Sequence, residues 1–275
     1  MRIALGIEYD GRPFCGWQSQ PGGCGAQDAL ERALAGICRH PVRIAGAGRT
    51  DSGVHASAQV AHFDTHAVRP LTAWVRGCNA ALPSGLAVLW AQPVDDAFHA
   101  RFSAIGRTYT YVLLNRPSRP GLLAGRVGWY HRPLDVGRMR EAAAHLIGSH
   151  DFSAFRSAEC QADSPVRELR RLDIERQDAL IVFHLEANAF LQRMVRNIVG
   201  SLLYVGKGSQ PATWLAELLA GRDRTRAAPT FAADGLYLSA VEYDSRWDLP
   251  HAPGTDADAA IEVCAKAAST RATQC

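Results

Sequence analysis

The sequence predicts an α+β fold of two similar halves. Each half is a βαββαβ unit of the ferredoxin-like kind, with helices packed on a largely antiparallel central sheet. Short runs with an apolar residue at every second position, the period of a half-buried strand, alternate with stretches of helical, three-to-four-residue period. The order strand, helix, strand, strand, helix, strand occurs twice. The length of 275 residues allows two medium-sized domains, each with its own core.

The first half is expected at residues 1–105. Its strands are predicted where alternating apolar side chains end at turn-forming residues, over 3–9, 42–45, 55–64 and 86–91. The first helix is predicted over 26–37, because Leu30, Leu34 and Ile37 form an apolar stripe and Pro41 stops its continuation. A second helix begins at Pro70 and ends before Pro83.

The second half is expected at residues 106–248 and repeats the element order of the first, without repeating its residues. Its predicted strands are 107–114, 166–176, 180–188 and 236–243. Its predicted helices are 135–147, 190–205 and a short additional one over 211–220. The segment 98–104 is predicted to connect the halves. Residues 249–275 are rich in Ala, Asp and Thr with few large apolar side chains, so a disordered tail is predicted there.

The composition excludes a membrane span and favours a cytoplasmic location. Charged residues make up 21% of the chain, and no apolar run approaches the ~20 residues of a transmembrane helix. The N-terminus meets Gly6 and Glu8 too early for the apolar core of a signal peptide. The net charge of +3 does not by itself predict a nucleic-acid partner. However, Lys207 and Lys266 are the only lysines among 30 cations, and arginine suits RNA contacts, although codon bias explains this equally well.

The seven cysteines predict neither a zinc site nor a disulfide framework. They form no Cys-x-x-Cys pair, and their number is odd. Reduced, mostly structural thiols are therefore expected.

The glycine-rich stretch 46–55 is the first candidate for chemistry. Its three glycines in eight positions predict a tight loop that displays the carboxylate of Asp51 between the hydroxyls of Thr50 and Ser52. Arg49 lies two residues away, so one interpretation is a nucleophile in a charged setting. The alternative is an Asx-turn, in which Asp51 caps its own backbone.

The strand 107–114 is the second candidate. Period two places Arg107, Tyr109 and Tyr111 on one face. Such aromatics are either half-buried core or a stacking platform for a flipped base.

The helix 190–205 carries Arg193 and Arg196, which lie three apart and therefore on neighbouring surface. A mid-helix arginine is usually solvated, but Val195, Ile198 and Val199 flank Arg196 closely. Its side chain is therefore predicted to be partly buried. A partly buried arginine needs an anion.

Two basic runs could follow an RNA backbone, or they could be ordinary solvated charge. They comprise Arg167, Arg170, Arg171, Arg222, Arg224 and Arg226.

Five motifs, spread in order from Ile3 to about Tyr243, resemble those of the tRNA pseudouridine synthase A family. They are Tyr9–Gln18, Gly48–Ala56 (Gly-Arg-Thr-Asp-Ser-Gly-Val-His-Ala), Phe98–Ala104 followed by Arg107-Thr108-Tyr109, Phe190–Gly200, and Gly235–Leu238 with Val241–Tyr243. The sequence departs from the family pattern at two places. Gly25-Ala26-Gln27 replaces the expected Thr-Val-Gln, and Ser52 stands where alanine is frequent, which puts local RNA contacts in doubt.

The resemblance implies an enzyme with its active site in a cleft between the halves. It would isomerise uridine at position 38, 39 or 40 of the anticodon stem-loop of tRNAs, as a homodimer whose two subunits contact one tRNA. It implies Asp51 as the nucleophile, Arg196 as its counter-ion and Tyr109 packed against the target base, with no cofactor and no metal. Further substrate-binding residues that it implies are Arg49, His55, Arg107, Arg193 and Leu236. Attack on C1′ of the sugar and attack on the uracil ring both stay open.

Two other functions compete with this interpretation. In the first, Asp51 accepts a phosphoryl group, which would require further carboxylates for Mg²⁺. In the second, the protein is not an enzyme but an RNA-binding module that uses Tyr109 and Tyr111 for stacking.

Overall fold

The computed structural model describes residues 1–250, so the predicted tail 249–275 lies almost entirely outside the described residues. The described chain forms two compact units. The first contains Met1–Arg107 and the residues from Tyr237 onward, and the second contains Thr108–Leu236. The α+β class is confirmed, whereas domain boundaries at residues 105 and 248 stay a prediction.

The strands within residues 1–250 are numbered in chain order. They are β1 (Arg2–Tyr9), β2 (Ile44–Gly46), β3 (His55–Asp64), β4 (Leu86–Val94), β5 (Ala104–Asn115), β6 (Gly128–Tyr130), β7 (Gly148–Asp151), β8 (Val166–Gln177), β9 (Leu180–Ala187) and β10 (Leu236–Tyr243). The α-helices are α1 (Ala26–Cys38), α2 (Cys78–Ala81), α3 (Val136–Ala144), α4 (Met194–Gly206) and α5 (Trp214–Gly221). None of the helices within this range is long and apolar enough to cross a bilayer.

The sheet of the first unit has β1 between β4 and β3, with both pairs antiparallel. Two further strands pair with opposite ends of β3. Strand β2 pairs antiparallel with Ala61–Phe63, whereas β10 pairs parallel with His55 and Ala56. The order β4-β1-β3-β2 is that of a ferredoxin-like βαββαβ unit, as predicted.

Helix α1 packs its buried Leu30 and Leu34 towards the core, as its apolar stripe predicts. It contacts the helical segment that begins with a π-helical turn, Ala73–Gly77, and continues as α2. In that turn Trp74 is buried, with its ring centroid 5.4 Å from that of Phe63. Aromatic packing therefore joins this segment to the sheet.

The second unit has the strand order β5-β9-β8-β7, and β6 pairs parallel with β5. Strands β8 and β9 form the predicted hairpin, in which Asp178 has a φ of 52°. Helix α3 packs on α4, where Gly206 leaves room for Met139. The short strands β6 and β7 were not predicted, because three or four residues show too little periodicity.

Helix α4 begins at Met194, so the predicted start at Phe190 is wrong. Arg193 occupies the N-cap position with a left-handed φ of 63°. Its carbonyl accepts the backbone N–H of Asn197 at 3.0 Å. The left-handed residue stops the helix from extending further towards the N-terminus.

The expectation that all cysteines are reduced is also wrong, because Cys15 and Cys24 form a disulfide. The loop folds back on itself, with the Cys15 N–H donating to the Cys24 carbonyl at 3.0 Å and the Cα atoms 5.5 Å apart. Among the described residues, Cys38, Cys78 and Cys160 are free. A count of cysteines carries no information on which loop brings two of them together.

Candidate active site

The Asp51 loop connects β2 to β3 in the first unit. Its tip is a β-turn in which Val54 donates its N–H to the Asp51 carbonyl at 3.1 Å, and Gly53 has a φ of 79°. Asp51 is half-buried and Arg49 is exposed. The loop therefore presents a carboxylate at a partly desolvated position, with a cation two residues away.

A buried glutamine fixes the start of this loop. The Gln59 side chain, which is fully buried in β3, accepts from the Gly48 N–H at 3.2 Å and donates to the Gly48 carbonyl at 2.7 Å. Both hydrogen-bonding groups of the Gly48 backbone are thereby satisfied. Sequence reasoning missed Gln59, although a glutamine between the small Ala58 and the apolar Val60 of a predicted strand is a signal for such a role.

The segment 10–17, which follows β1, holds the other side of the loop. Tyr9 and Thr50 share a buried hydrogen bond of 2.8 Å between their hydroxyls, and Trp17 donates its N–H to the Thr50 carbonyl at 3.0 Å. Burial raises the pKa of the Tyr9 hydroxyl, so this group stays neutral. The Tyr9 hydroxyl and the Trp17 N–H therefore fix the position of Thr50, the residue that precedes Asp51.

Two glycines allow this close packing. A Cβ on Gly11 would lie 2.1 Å from the Val54 carbonyl oxygen, and one on Gly16 would lie 2.6 Å from the Thr50 carbonyl oxygen. Gly16 also has a φ of 97°. No side chain fits at either place without moving the backbone on both sides of Asp51.

His55, an expected substrate contact, is buried directly behind the loop. Its Nδ1 accepts the Gly11 N–H at 3.1 Å, and its ring stacks on Tyr237 at 4.6 Å between centroids. Burial tends to raise the pKa of the neighbouring Asp10, but hydrogen bonds from Arg12 outweigh it and lower the pKa. The geometry gives His55 a positioning role, and its contact with substrate stays a prediction.

Arg107 is also buried, and its guanidinium binds backbone. It donates to the carbonyls of Ala104 at 3.0 Å, Arg101 at 2.7 Å and Ala47 at 3.1 Å. Ala47 is the residue that leads into the Asp51 loop, so Arg107 ties this loop to the segment 98–104. Its expected contact with substrate likewise stays a prediction.

In the second unit, the two tyrosines of β5 differ in environment. Tyr109 is 8% exposed and meets the Phe190 ring edge to face, with the centroids 5.1 Å apart. Tyr111 is fully buried and donates its hydroxyl to the Ala232 carbonyl at 2.9 Å. Tyr111 is therefore core, which removes half of the stacking surface that the binding-module interpretation requires.

The two arginines of the α4 motif also differ. Arg196 is half-buried and donates Nε–H to the Phe231 carbonyl at 2.8 Å. Arg193 is exposed and lies outside the helix, with Nη2 3.5 Å from Glu159. The partial burial predicted for Arg196 is confirmed, but the two side chains do not belong to one helical surface.

Asn197 is a buried polar residue to which sequence reasoning gave no role. Its Nδ2 donates to the Phe155 carbonyl at 2.7 Å, and its Oδ1 accepts from Thr230 at 2.7 Å and from Arg224 at 3.1 Å. It thereby fixes α4 to the segment that contacts Arg196. Leu236, the predicted aliphatic site residue, is buried at the start of β10.

Within residues 1–250 no three His, Cys, Asp or Glu side chains are grouped so that they could hold a metal ion. The chemistry that the first unit offers is a carboxylate on a loop whose backbone is fixed from both sides. Such a group can act as a nucleophile or a base.

Comparisons with known proteins give a consistent result. A family model described as tRNA pseudouridine synthase matches residues 6–103 and 142–244. Relatives named tRNA pseudouridine synthase A are similar over most of their length. The one from Thiobacillus denitrificans is 61% identical over 250 residues, which are 91% of this chain and 96% of that protein. The one from Chromobacterium violaceum is 62% identical over 251 residues, with the same coverage. The one from Burkholderia cenocepacia is 58% identical over 252 residues, 92% of this chain and 93% of that protein.

Proposed function

The chain belongs to the tRNA pseudouridine synthase family and is therefore an isomerase, and we propose that it converts uridine to pseudouridine at position 38, 39 or 40 of the anticodon stem-loop of tRNAs, with Asp51 as the nucleophile. The observation that supports the proposal most is the Asp51 loop. Its backbone is fixed by Gln59 at Gly48 and by the Trp17 N–H at the Thr50 carbonyl, while Asp51 stays half-buried. A preorganised charge loses little free energy to reorganisation during the reaction.

The reaction needs a nucleophile and a sheltered pocket, but no change in oxidation state. The C1′–N1 bond of the uridine breaks, the uracil rotates, and C5 bonds to C1′ while the proton on C5 is lost and N1 gains one. A carboxylate is suited to the first step because it is ionised at neutral pH. Attack at C1′ and attack on the uracil ring are both compatible with this scheme.

We assign the counter-ion of Asp51 to Arg196 and the stacking on uracil to Tyr109. Both assignments rest on the sequence motifs. They are supported by the partial burial of Arg196 and by the edge-on packing that holds the Tyr109 ring. A guanidinium can orient a carboxylate through two parallel hydrogen bonds. Arg49, His55, Arg107, Arg193 and Leu236 stay proposed substrate-binding residues.

The proposed partner is tRNA, bound by a homodimer whose two subunits contact one molecule. The basic runs support this proposal in part, because Arg226 is exposed whereas Arg224 is engaged inside the second unit. Phosphoryl transfer is not favoured, since the matched family consists of pseudouridine synthases.

The substitution Asp51→Asn tests the proposal, because it keeps size and polarity but removes the charge. It should bind tRNA normally and form no pseudouridine, measured by carbodiimide-primer extension on tRNA treated with the purified protein. Asp178→Asn is the matched control, since Asp178 is exposed on the β8–β9 turn and asparagine tolerates its positive φ. Turnover of Asp51→Asn within about tenfold of the parent, a barrier difference of only ~1.4 kcal/mol, would exclude Asp51 as the nucleophile.

A further inference from the structure

The turn at residues 99–103 is fixed from beneath by the core of the first unit. Phe98 and Ala100 are buried, and the Phe98 ring centroid lies 5.3 Å from that of Tyr243. Tyr243 donates its hydroxyl to the Ala100 carbonyl at 2.6 Å, and the Ala100 N–H donates to Nδ1 of His62 at 3.1 Å. These contacts anchor the inner side of the turn.

Hydrogen bonds within the turn fix its outer side as well. The His99 N–H donates to Oγ of Ser103 at 2.9 Å, and the Ser103 N–H donates to the His99 carbonyl at 2.8 Å. Nδ1 of His99 accepts from the N–H groups of Arg101 at 3.2 Å and Phe102 at 3.3 Å. The backbone at the tip is therefore preorganised.

This rigid turn directs a large apolar ring into solvent. The Phe102 side chain is 75% exposed. The Arg101 guanidinium carbon lies 5.5 Å from the centroid of the Phe102 ring, and the His99 ring lies 4.4 Å from it with a tilt of 33°. An aromatic ring flanked by a cation and an imidazole is the composition that proteins use to stack on nucleobases.

Few large apolar side chains close to this turn in the chain are exposed. Between residues 90 and 110, Ile105 is the one other large apolar side chain that is exposed. A stable protein partner would bury about 800 Å² on each side, over many more residues. One ring beside one cation matches a single base next to its phosphate.

Arg107 connects this turn to the Asp51 loop. It donates to the carbonyl of Arg101, which precedes Phe102, and to the carbonyl of Ala47, which precedes Gly48. Both features belong to the first unit. A base held on the Phe102 ring would therefore bind the same unit as the loop that carries Asp51.

We propose that Phe102 stacks on an unpaired base of the bound tRNA other than the target uridine, with His99 and Arg101 completing the platform. This contact deepens the proposed function and rests on it. It contributes affinity, and it takes no part in bond making or breaking.

The experiment compares Phe102→Ala, Phe102→Tyr and Arg101→Gln with the parent protein and with a control, Leu122→Ala. Leu122 is 90% exposed and lies in the second unit, so its truncation removes apolar surface elsewhere. The dissociation constant for tRNA is measured over a series of salt concentrations. The single-turnover rate at saturating tRNA, the melting temperature and the sedimentation coefficient are measured for each variant.

Phe102→Ala is expected to weaken tRNA binding by about fivefold to about 150-fold, the loss that accompanies removal of one base–aromatic stack. Its salt dependence should equal that of the parent, because no charge is removed. Its saturated single-turnover rate and melting temperature should also stay parental. Phe102→Tyr keeps the ring and should bind within about threefold of the parent. Arg101→Gln should lower the slope of log affinity against log salt by about one.

Binding by Phe102→Ala within about twofold of the parent would overturn the proposal, as would an equal loss in Phe102→Tyr. A change from dimer to monomer in Phe102→Ala would also overturn it, by showing that a second copy of the chain covers the ring. Failure of the proposed function is a separate result, since it would appear as absence of pseudouridine formation by the parent protein.

Discussion

His62 is a single buried side chain whose protonation links stability to pH. It lies in β3 and its Nδ1 accepts from the Ala100 backbone. Burial, followed by the charges of His99 and Arg2, lowers the pKa of His62 from 6.5 to about 4. The folded protein therefore holds a neutral imidazole under conditions in which the unfolded chain is protonated.

We expect the parent protein to lose stability as the pH falls from 6.5 towards 4. In this window the unfolded chain takes up a proton that the folded chain refuses, so the contribution of His62 is complete above pH 6.5 and decreases below it. The loss should reach roughly 2 kcal/mol at pH 5. Urea unfolding at pH 7.5 and pH 5 measures it. His62→Gln should remove that part of the pH dependence, and the exposed control His131→Gln should retain it. Identical pH profiles of the parent and His62→Gln would contradict the assignment.

The loop between β1 and α1 is the element that holds the Asp51 loop in place. Its disulfide joins Cys15 and Cys24, and Gly16 lies directly against the Thr50 carbonyl. The disulfide restricts the conformations of the unfolded chain. In the folded chain it also keeps Cys24 close to Cys15, which lies next to the residues that contact Thr50. Cross-linking across about ten residues stabilises a fold by about 2–3 kcal/mol.

Reduction of this disulfide should therefore lower the free energy of unfolding by about 2–3 kcal/mol. Urea unfolding of the parent with and without dithiothreitol measures the change. The double variant Cys15→Ser/Cys24→Ser should be insensitive to reductant, whereas Cys160→Ser, which removes a free thiol, should respond as the parent does. If the parent unfolded identically under both conditions, the link would not contribute to stability.

At the scale of the whole molecule, we expect arginine charge to lead the proposed binding of tRNA. Not all arginines of the basic runs are available. The Arg222 guanidinium lies 3.4 Å from Asp151, and Arg224 is bound to Asn197 and Thr230. Burial lowers the pKa of Arg224, as expected for a guanidinium used inside the fold. Arg226 remains exposed in the same run.

The affinity for tRNA should accordingly fall steeply with salt, because each phosphate contact releases counterions. Arg226→Gln should lower the slope of log affinity against log salt by about one and leave the melting temperature unchanged. Arg224→Gln should instead destabilise the fold, since it leaves the Asn197 side chain with fewer partners. Filter binding over a salt series, with thermal melts of each variant, distinguishes the two. A nearly flat salt dependence of the parent would exclude phosphate-led binding.

Sequence periodicity is sufficient to predict those helices and strands whose apolar pattern alone shows which face is buried. Strand β10 was predicted over 236–243, and α1 and β3 were predicted within one residue of their ends. The Asp51 loop was predicted because glycines and turn chemistry act locally. The family resemblance rests on five such local motifs, and the comparisons confirm it.

The tertiary structure alone decided the surroundings of several of these residues. Only the fold shows that His55 and Arg107 lie behind the Asp51 loop, that Tyr111 is core, and that Cys15 meets Cys24. It likewise shows that Arg193 stands outside α4. Periodicity reports which face of an element is apolar, but it does not report which distant segment covers that face. Contacts between segments far apart in the chain depend on strand pairing and loop packing, so they emerge only once the chain has folded.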